Sequence, residues 1–202
     1  MTEGRGATRV MNNVLAYRLW QSPFAERKLA PVLRHNDLAA VRRVLDVGCG
    51  PGTNARHFLG TDYLGIDRNP GYVADARRRF GDRFRVADVR EDFDAGGGGF
   101  DFILVNSLLH HVATPDVRTL LARLAGLLTP DGRVHILDLV MPERPGLARL
   151  LARWDRGEHA RPLGEWRALF SEAFAPVFFE PYPLGAFGVT LWNMVYFQGR
   201  RR

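Results

Sequence analysis

The sequence predicts an α/β fold: a mostly parallel sheet with helices on both faces. Three observations predict it. Short apolar runs alternate with helix-patterned segments from residue 43 to residue 140, several of those runs are apolar at consecutive positions, and the first ends in a glycine-rich loop. A chain of 202 residues suits one domain, divided into an N-terminal helical lid (1–40), a ligand-binding core (41–140) and a lid-and-hairpin segment (141–202). In such sheets ligands bind in the crevice beyond the carboxyl ends of the strands, so that is where chemistry is expected.

Taken in order, a helix is expected from about Asn12 and another at Ser22-Pro23, since proline suits a first helical position. Arg43 to Val47 is the first strand, Thr53 to Leu59 reads as helical, and Tyr63 to Ile66 is a second buried strand. Asn69-Pro70 supplies an N-cap and a first helical residue for a helix through Gly71 to Phe80. Phe84 to Ala87 is the third strand, Gly96 to Gly99 a flexible connector, and Phe100 to Asn106 a fourth, nearly all-apolar strand. Thr114-Pro115 opens a helix whose apolar residues, Val117, Leu120, Leu121, Leu124, Leu127 and Leu128, recur at helical spacing until Thr129-Pro130-Asp131-Gly132 turns the chain. Val134 to Val140 is the fifth strand. Met141 to His159 is rich in Pro, Gly and Arg, Leu163 to Phe174 reads as a helix, and Val177 to Glu180 and Thr190 to Gln198 are late β-like runs.

Composition narrows the function classes. No apolar run is long enough for a membrane helix, and Met1 to Arg9 lacks the apolar stretch of a secretory signal, so cytoplasmic residence is expected. The net charge of +6 raises the question of nucleic acid, but Lys28 is the sole lysine and the arginines are scattered, as codon bias in a GC-rich genome would leave them. Only Arg77-Arg78-Arg79, expected on a solvated helix face, and Arg200-Arg201-Arg202, expected as a frayed end, cluster. Cys49, the single cysteine, sits in the glycine loop, where a small side chain is wanted; no catalytic role is assigned to it.

The motif with chemical content is Val44-Leu45-Asp46-Val47-Gly48-Cys49-Gly50-Pro51-Gly52, a strand ending in an acid and then glycine at every second position. Glycines allow a sharp turn and close approach of the backbone to a ligand. The spacing G-x-G-x-G differs from the dinucleotide fingerprint G-x-G-x-x-G, which would place glycine at Thr53, so a nicotinamide oxidoreductase is disfavoured. Asp46 is placed to accept from a cationic amine. Asp67, about twenty residues beyond the glycines at the end of the second strand, is placed for a ribose diol. Asp88, followed by Val89 at the end of the third, is placed to receive an adenine amine.

The stretch from Val44 to Val140 resembles the class I S-adenosylmethionine-dependent methyltransferases of the small bacterial type. Asp46, Gly48, Gly50, Gly52, Asp67 with Arg68, Asp88 with Val89, Asn106, the following Leu108, Leu109 and His110-His111, and Leu128 to Gly132 carry the likeness. The resemblance implies a Rossmann-like three-layer sandwich of seven strands with the last one antiparallel, S-adenosylmethionine as methyl donor, and S-adenosylhomocysteine as product. It also places Arg68 and Asn106 beside the donor. His110, His111 and Asp138 are the candidates for a general base should the acceptor be a hydroxyl. No metal set of the catechol type is evident.

Asn106-Ser107-Leu108-Leu109 is not the Asn-Pro-Pro-aromatic signature of related enzymes that methylate base or amide nitrogens. Tyr17, Trp20, Phe24, Trp154, Trp166 and the connector Leu184 to Gly188 are candidates for the wall of an apolar pocket, pointing to a small, hydrophobic acceptor. Aromatics at such spacing equally suit a core or a homodimer contact. Two rival readings stand beside this one: a methyltransferase acting on rRNA or tRNA, and a non-catalytic adenosyl-binding protein.

Overall fold

A computed structural model describes residues 24–154, 158–186 and 188–202. Tyr17, Trp20, Phe187 and the helix expected from Asn12 lie outside the described residues. Seven strands form one sheet: β1 (Arg43–Val47), β2 (Asp62–Asp67), β3 (Phe84–Val86), β4 (Phe100–Asn106), β5 (Leu128–Val140), β6 (Phe174–Ala186) and β7 (Val189–Arg201). Their order is β3-β2-β1-β4-β5-β7-β6, with β1 to β5 parallel and β7 antiparallel to both neighbours. The strand order reverses between β1 and β4, and the carboxyl ends there open onto the crevice where such sheets hold ligands.

Among the described residues five helices flank the sheet: α1 (24–35), α2 (Pro70–Phe80), α3 (Thr114–Leu127), α4 (Leu147–Trp154) and α5 (Leu163–Ala173). The period-two alternation of buried strands divides the core between two faces. Leu45, Val47, Ile103, Val105 and Ile136 pack on α3 and α5, while Val44, Phe102, Leu104 and Leu137 pack on α1 and α2. Asn69 caps α2 as expected: its side chain accepts from the N–H groups of Gly71 and Tyr72, with Pro70 in the first turn.

Several local expectations are corrected. The helix expected over Thr53 to Leu59 is a short 3-10 turn, Ala55–Phe58, held by three-residue bonds such as His57 N–H to the Asn54 carbonyl. Only seven residues separate Gly52 from Gly60, too few to sustain a regular helix. The Gly96 to Gly99 connector is pinned, because Arg43 donates to the Gly98 and Gly96 carbonyls and Gly99 N–H to that of Leu127. The turn at Thr129 to Gly132 sits inside β5, as an irregularity where pairing jumps from Phe100↔Leu128 to Phe102↔Arg133. The irregular stretch after β5 contains α4. Strands β6 and β7 outrun the expected hairpin: Pro176, Pro181 and Pro183 interrupt β6 in sequence but are tolerated on an edge strand. The carboxyl-terminal arginines are not frayed, since Arg200 and Arg201 pair across to β6 and Arg202 donates to the Ser171 carbonyl. Among the described residues, no helix is long and apolar enough to cross a membrane.

Candidate active site

Asp46 faces the α1–α2 side of β1 and is fully buried. The β1–β2 register sets Val44 opposite Tyr63, so Tyr63 is the diagonal neighbour of Asp46 on the same face. Its hydroxyl donates to Asp46 Oδ2 at 2.7 Å, and Asn54 Nδ2 approaches the same oxygen at 3.4 Å. Asp46 Oδ1 is buried with no hydrogen-bond partner. Burial pushes this carboxyl up to about 6, held back by the bonds from Tyr63 and Asn54 and raised further by the charge of Asp67.

The glycine loop follows at once. Gly48 and Gly52 have φ of 74° and 76°, the left-handed region that favours glycine, and an added Cβ would lie 3.1 Å from Leu108 or from Phe80 respectively. Gly50 N–H donates to Asp67 Oδ2 at 2.9 Å, and Asn69 N–H to Oδ1 at 2.8 Å. Asp67 therefore ties the loop to the end of β2 while each oxygen keeps acceptor capacity. Burial raises its pKa, and those two backbone bonds oppose the rise.

Asp88 is differently engaged. Its two oxygens receive Arg90 Nε, Nη2 and backbone N–H, and these bonds hold its carboxyl down to about 2. Val89 packs at the edge of the core, and Arg68 is exposed beside Asp67. Asn106, at the end of β4, donates to Asn54 Oδ1 at 3.5 Å and accepts from Ser107 Oγ at 3.1 Å. Ser107 has φ of 56°, the one positive value at a non-glycine among the described residues, and its hydroxyl receives Lys28 Nζ from α1 at 3.2 Å.

His110 and Asp138, from the turn after β4 and from β5, meet at 2.6 Å between His110 Nδ1 and Asp138 Oδ1, both buried. Asp138 also accepts from Leu139 N–H and Leu109 N–H, each at 2.7 Å. Burial works to raise its pKa, but the charge and hydrogen bond of His110 and the two backbone donors outweigh that, and the net direction is down. His111 is exposed, with its ring 4.0 Å from that of His110. Arg161 clamps the turn by donating to the Leu109 and Val112 carbonyls. Among the described residues, no three His, Cys, Asp or Glu side chains are grouped so as to hold a metal ion.

Residues 44–132 match the family model described as a methyltransferase domain. The chain is 35% identical over 144 residues to the uncharacterized methyltransferase Rv0089 of Mycobacterium tuberculosis, covering 68% of this chain and 69% of that protein. The chain belongs to the class I S-adenosylmethionine-dependent methyltransferases. This methyltransferase is also 39% identical over 123 residues to trans-aconitate 2-methyltransferase of Methylobacterium nodulans, covering 58% of this chain and 45% of that one. In fold it is similar to human N-acetylserotonin methyltransferase, with a TM-score of 0.70, 19% identity, and coverage of 97% of this chain and 57% of the human one.

Two aromatic expectations change in this methyltransferase. Trp166 is not a pocket wall: it is fully buried under the sheet, stacks on Phe170, and donates to the Leu139 carbonyl at 2.9 Å. Trp154 is 73% exposed. Phe24 packs edge-on against Trp192, and Leu184 joins Leu139, Ala152 and Met194 in a small cluster at the end of β5. The α2 arginines are exposed, as expected of a solvated helix face, and they also bond locally: Arg77 and Arg79 donate to the Phe84 and Pro51 carbonyls and Arg78 pairs with Asp75. Asn54, Tyr63, Ser107, Lys28 and Arg161 escaped the sequence reading. Tyr63 read as an apolar strand residue, and only its register with β1 shows its partner.

Proposed function

We propose that this methyltransferase carries the methyl group of S-adenosylmethionine to a small, hydrophobic acceptor, with Asp46 receiving the methionyl amine and Asp67 the ribose diol. The observation that carries the reading is the Asp46 carboxylate, a buried acid with one partnerless oxygen beside a glycine loop. A buried unpaired acceptor is costly, and a cationic amine is the group that satisfies it. A dinucleotide brings no such cation. The residues present therefore fit the donor. Gly48, Gly50 and Gly52 would lie along its methionyl part, with Asn106 and exposed Arg68 at the rim. Asp88 and Val89 would flank the adenine, Asp88 sharing its oxygens with Arg90.

Bound there, the sulfonium supplies an already activated methyl group for an in-line displacement, so the protein's task is alignment and exclusion of water. The residues of the chain do the rest. Asp138, which accepts from His110 Nδ1 and from the Leu109 and Leu139 N–H groups, is an orienting group that fixes the His110 ring. We assign His110 as proton acceptor when the acceptor is a hydroxyl; His111, out on the surface, is not needed for this. Support for a small acceptor comes from the matched relative named for trans-aconitate, and for an apolar one from the partly exposed side chains of Met141 and Trp192, which pack on the buried cluster of Leu139, Leu184 and Met194 at the end of β5. An rRNA or tRNA acceptor is disfavoured because Arg43, Arg77 and Arg85 are paired with Asp62, Asp82 and Asp94.

The test is transfer of a labelled methyl group to a panel of small hydroxyl, carboxyl and amine acceptors, run beside bulk RNA and beside Asp46→Asn. Label in a small acceptor, absent with Asp46→Asn, is the expected result. Label in RNA alone contradicts the acceptor class. Donor binding without transfer to any acceptor favours the non-catalytic reading.

A further inference from the structure

Tyr63 belongs to no motif, and a phenylalanine would serve the packing against Phe58 and Phe84 without the hydroxyl. Its ring is 5.5 Å from that of Phe84, edge-on, and 6.2 Å from that of Phe58, so its direction is fixed, and the phenol is 4% exposed. A hydroxyl at that depth needs a partner, and Asp46 Oδ2 at 2.7 Å is the one it has. A second line of donors arrives from the other side. Lys28 donates to Ser107, Ser107 to Asn106, Asn106 to Asn54, and Asn54 to Asp46 Oδ2, at 3.2, 3.1, 3.5 and 3.4 Å. Every bond in the chain runs toward the same carboxylate oxygen, which is the arrangement in which successive hydrogen bonds polarise one another.

We propose that Tyr63, assisted by Asn54, is a positioning residue that grips the Asp46 carboxylate by Oδ2 and so leaves Oδ1 alone to meet the methionyl amine of the donor. This rests on the reading of Asp46 given above. The grip also governs protonation. Burial drives Asp46 toward the neutral acid, which cannot neutralise an ammonium group, and the bonds from Tyr63 and Asn54 are what oppose it. The titratable groups facing Asp46 are Tyr63 and Asp67 of β2 and Cys49 of the loop; Lys28 reaches it only through the donor chain. Burial pushes the Tyr63 hydroxyl and the Cys49 thiol far up, so the groups here that titrate at lower pH are the two carboxyls, Asp46 at about 6 and Asp67, itself raised by burial.

The experiment is the affinity of the full chain for S-adenosylhomocysteine and for 5′-methylthioadenosine between pH 5 and 8.5, in wild type, Tyr63→Phe and Asn54→Leu. Methylthioadenosine keeps the diol for Asp67 but lacks the amine, so it separates the two acids. Wild type is expected to hold S-adenosylhomocysteine with constant affinity above about pH 6 and to lose about tenfold per pH unit below it. In Tyr63→Phe the break moves up by about one pH unit, with affinity on the alkaline plateau changed less than about threefold and the methylthioadenosine profile unmoved. In Asn54→Leu the break moves the same way by less. Equal weakening at every pH, or an unmoved break, gives Tyr63 a purely structural role and overturns the proposal. Should Tyr63→Phe fail to fold, Asn54→Leu decides alone: an upward break supports the proposal and an unmoved one overturns it. Wild type that binds neither ligand, or binds both alike at all pH values, refutes the earlier reading of Asp46 instead.

Discussion

His110 Nδ1 lies 2.6 Å from Asp138 Oδ1, and the contact joins the turn after β4 to the interior of β5. If His110 takes the proton of a hydroxyl acceptor, His110→Ala lowers turnover by about 10²- to 10⁴-fold while affinity for S-adenosylhomocysteine stays within about threefold. Single-turnover kinetics beside a binding titration separates the two. Loss of binding without loss of the chemical step makes the pair a structural tie.

Asp46 predicts a stability change opposite in sign to its functional value. Its carboxyl is raised from 3.8 to about 6, so between those values the folded chain holds a proton that the unfolded chain has released. Stability therefore falls as pH rises through that window, by about 3 kcal/mol in all, and the cost persists above it. Asp46→Asn, which keeps an acceptor for Tyr63, is predicted to be more stable than wild type at pH 8 and about equal near pH 4, and to bind no donor. Urea denaturation at the two pH values checks this; a wild type more stable at pH 8 contradicts it.

The loop glycines are predicted to differ sharply from a helical one. Gly52→Ala forces a side chain into left-handed backbone against Phe80 and Ala76, and should cost about 2 kcal/mol and weaken donor binding. Gly126→Ala in α3 meets open space, and should stabilise by about 0.5 kcal/mol with binding unchanged. Denaturation midpoints and one titration each suffice.

Two tryptophans that look alike in sequence should behave oppositely. Trp166→Phe removes the indole donor from the Leu139 carbonyl and opens the core, at a cost of about 2 kcal/mol, whereas Trp154→Ser should fall within about 0.5 kcal/mol of wild type. Equal effects in thermal denaturation contradict the placement of Trp166 in the core.

Features that depend on neighbours in sequence were legible. The glycine loop, the acids at the ends of β1 and β2, and the Asn69-Pro70 cap are each set by residues a few positions apart, and β1 to β5 follow from apolar runs. What escaped depends on pairing across the sheet. His110 and Asp138 are 28 positions apart and meet because β4 and β5 run in parallel with Asn106 opposite Leu137. Tyr63 finds Asp46 only through the β1–β2 register. The full length of β6 was hidden by prolines that its edge position makes harmless, and Trp166 was misplaced because its partner, Leu139, lies 27 residues away.

The most direct test of the donor site is calorimetric titration of the protein with S-adenosylhomocysteine, run beside NADH and beside Asp67→Ala. Asp67 holds Gly50 and Asn69 as well as the proposed diol, so its loss should remove binding altogether. The account predicts micromolar binding of S-adenosylhomocysteine alone, lost in the mutant. Absence of binding by the folded wild type, or preference for NADH, contradicts it.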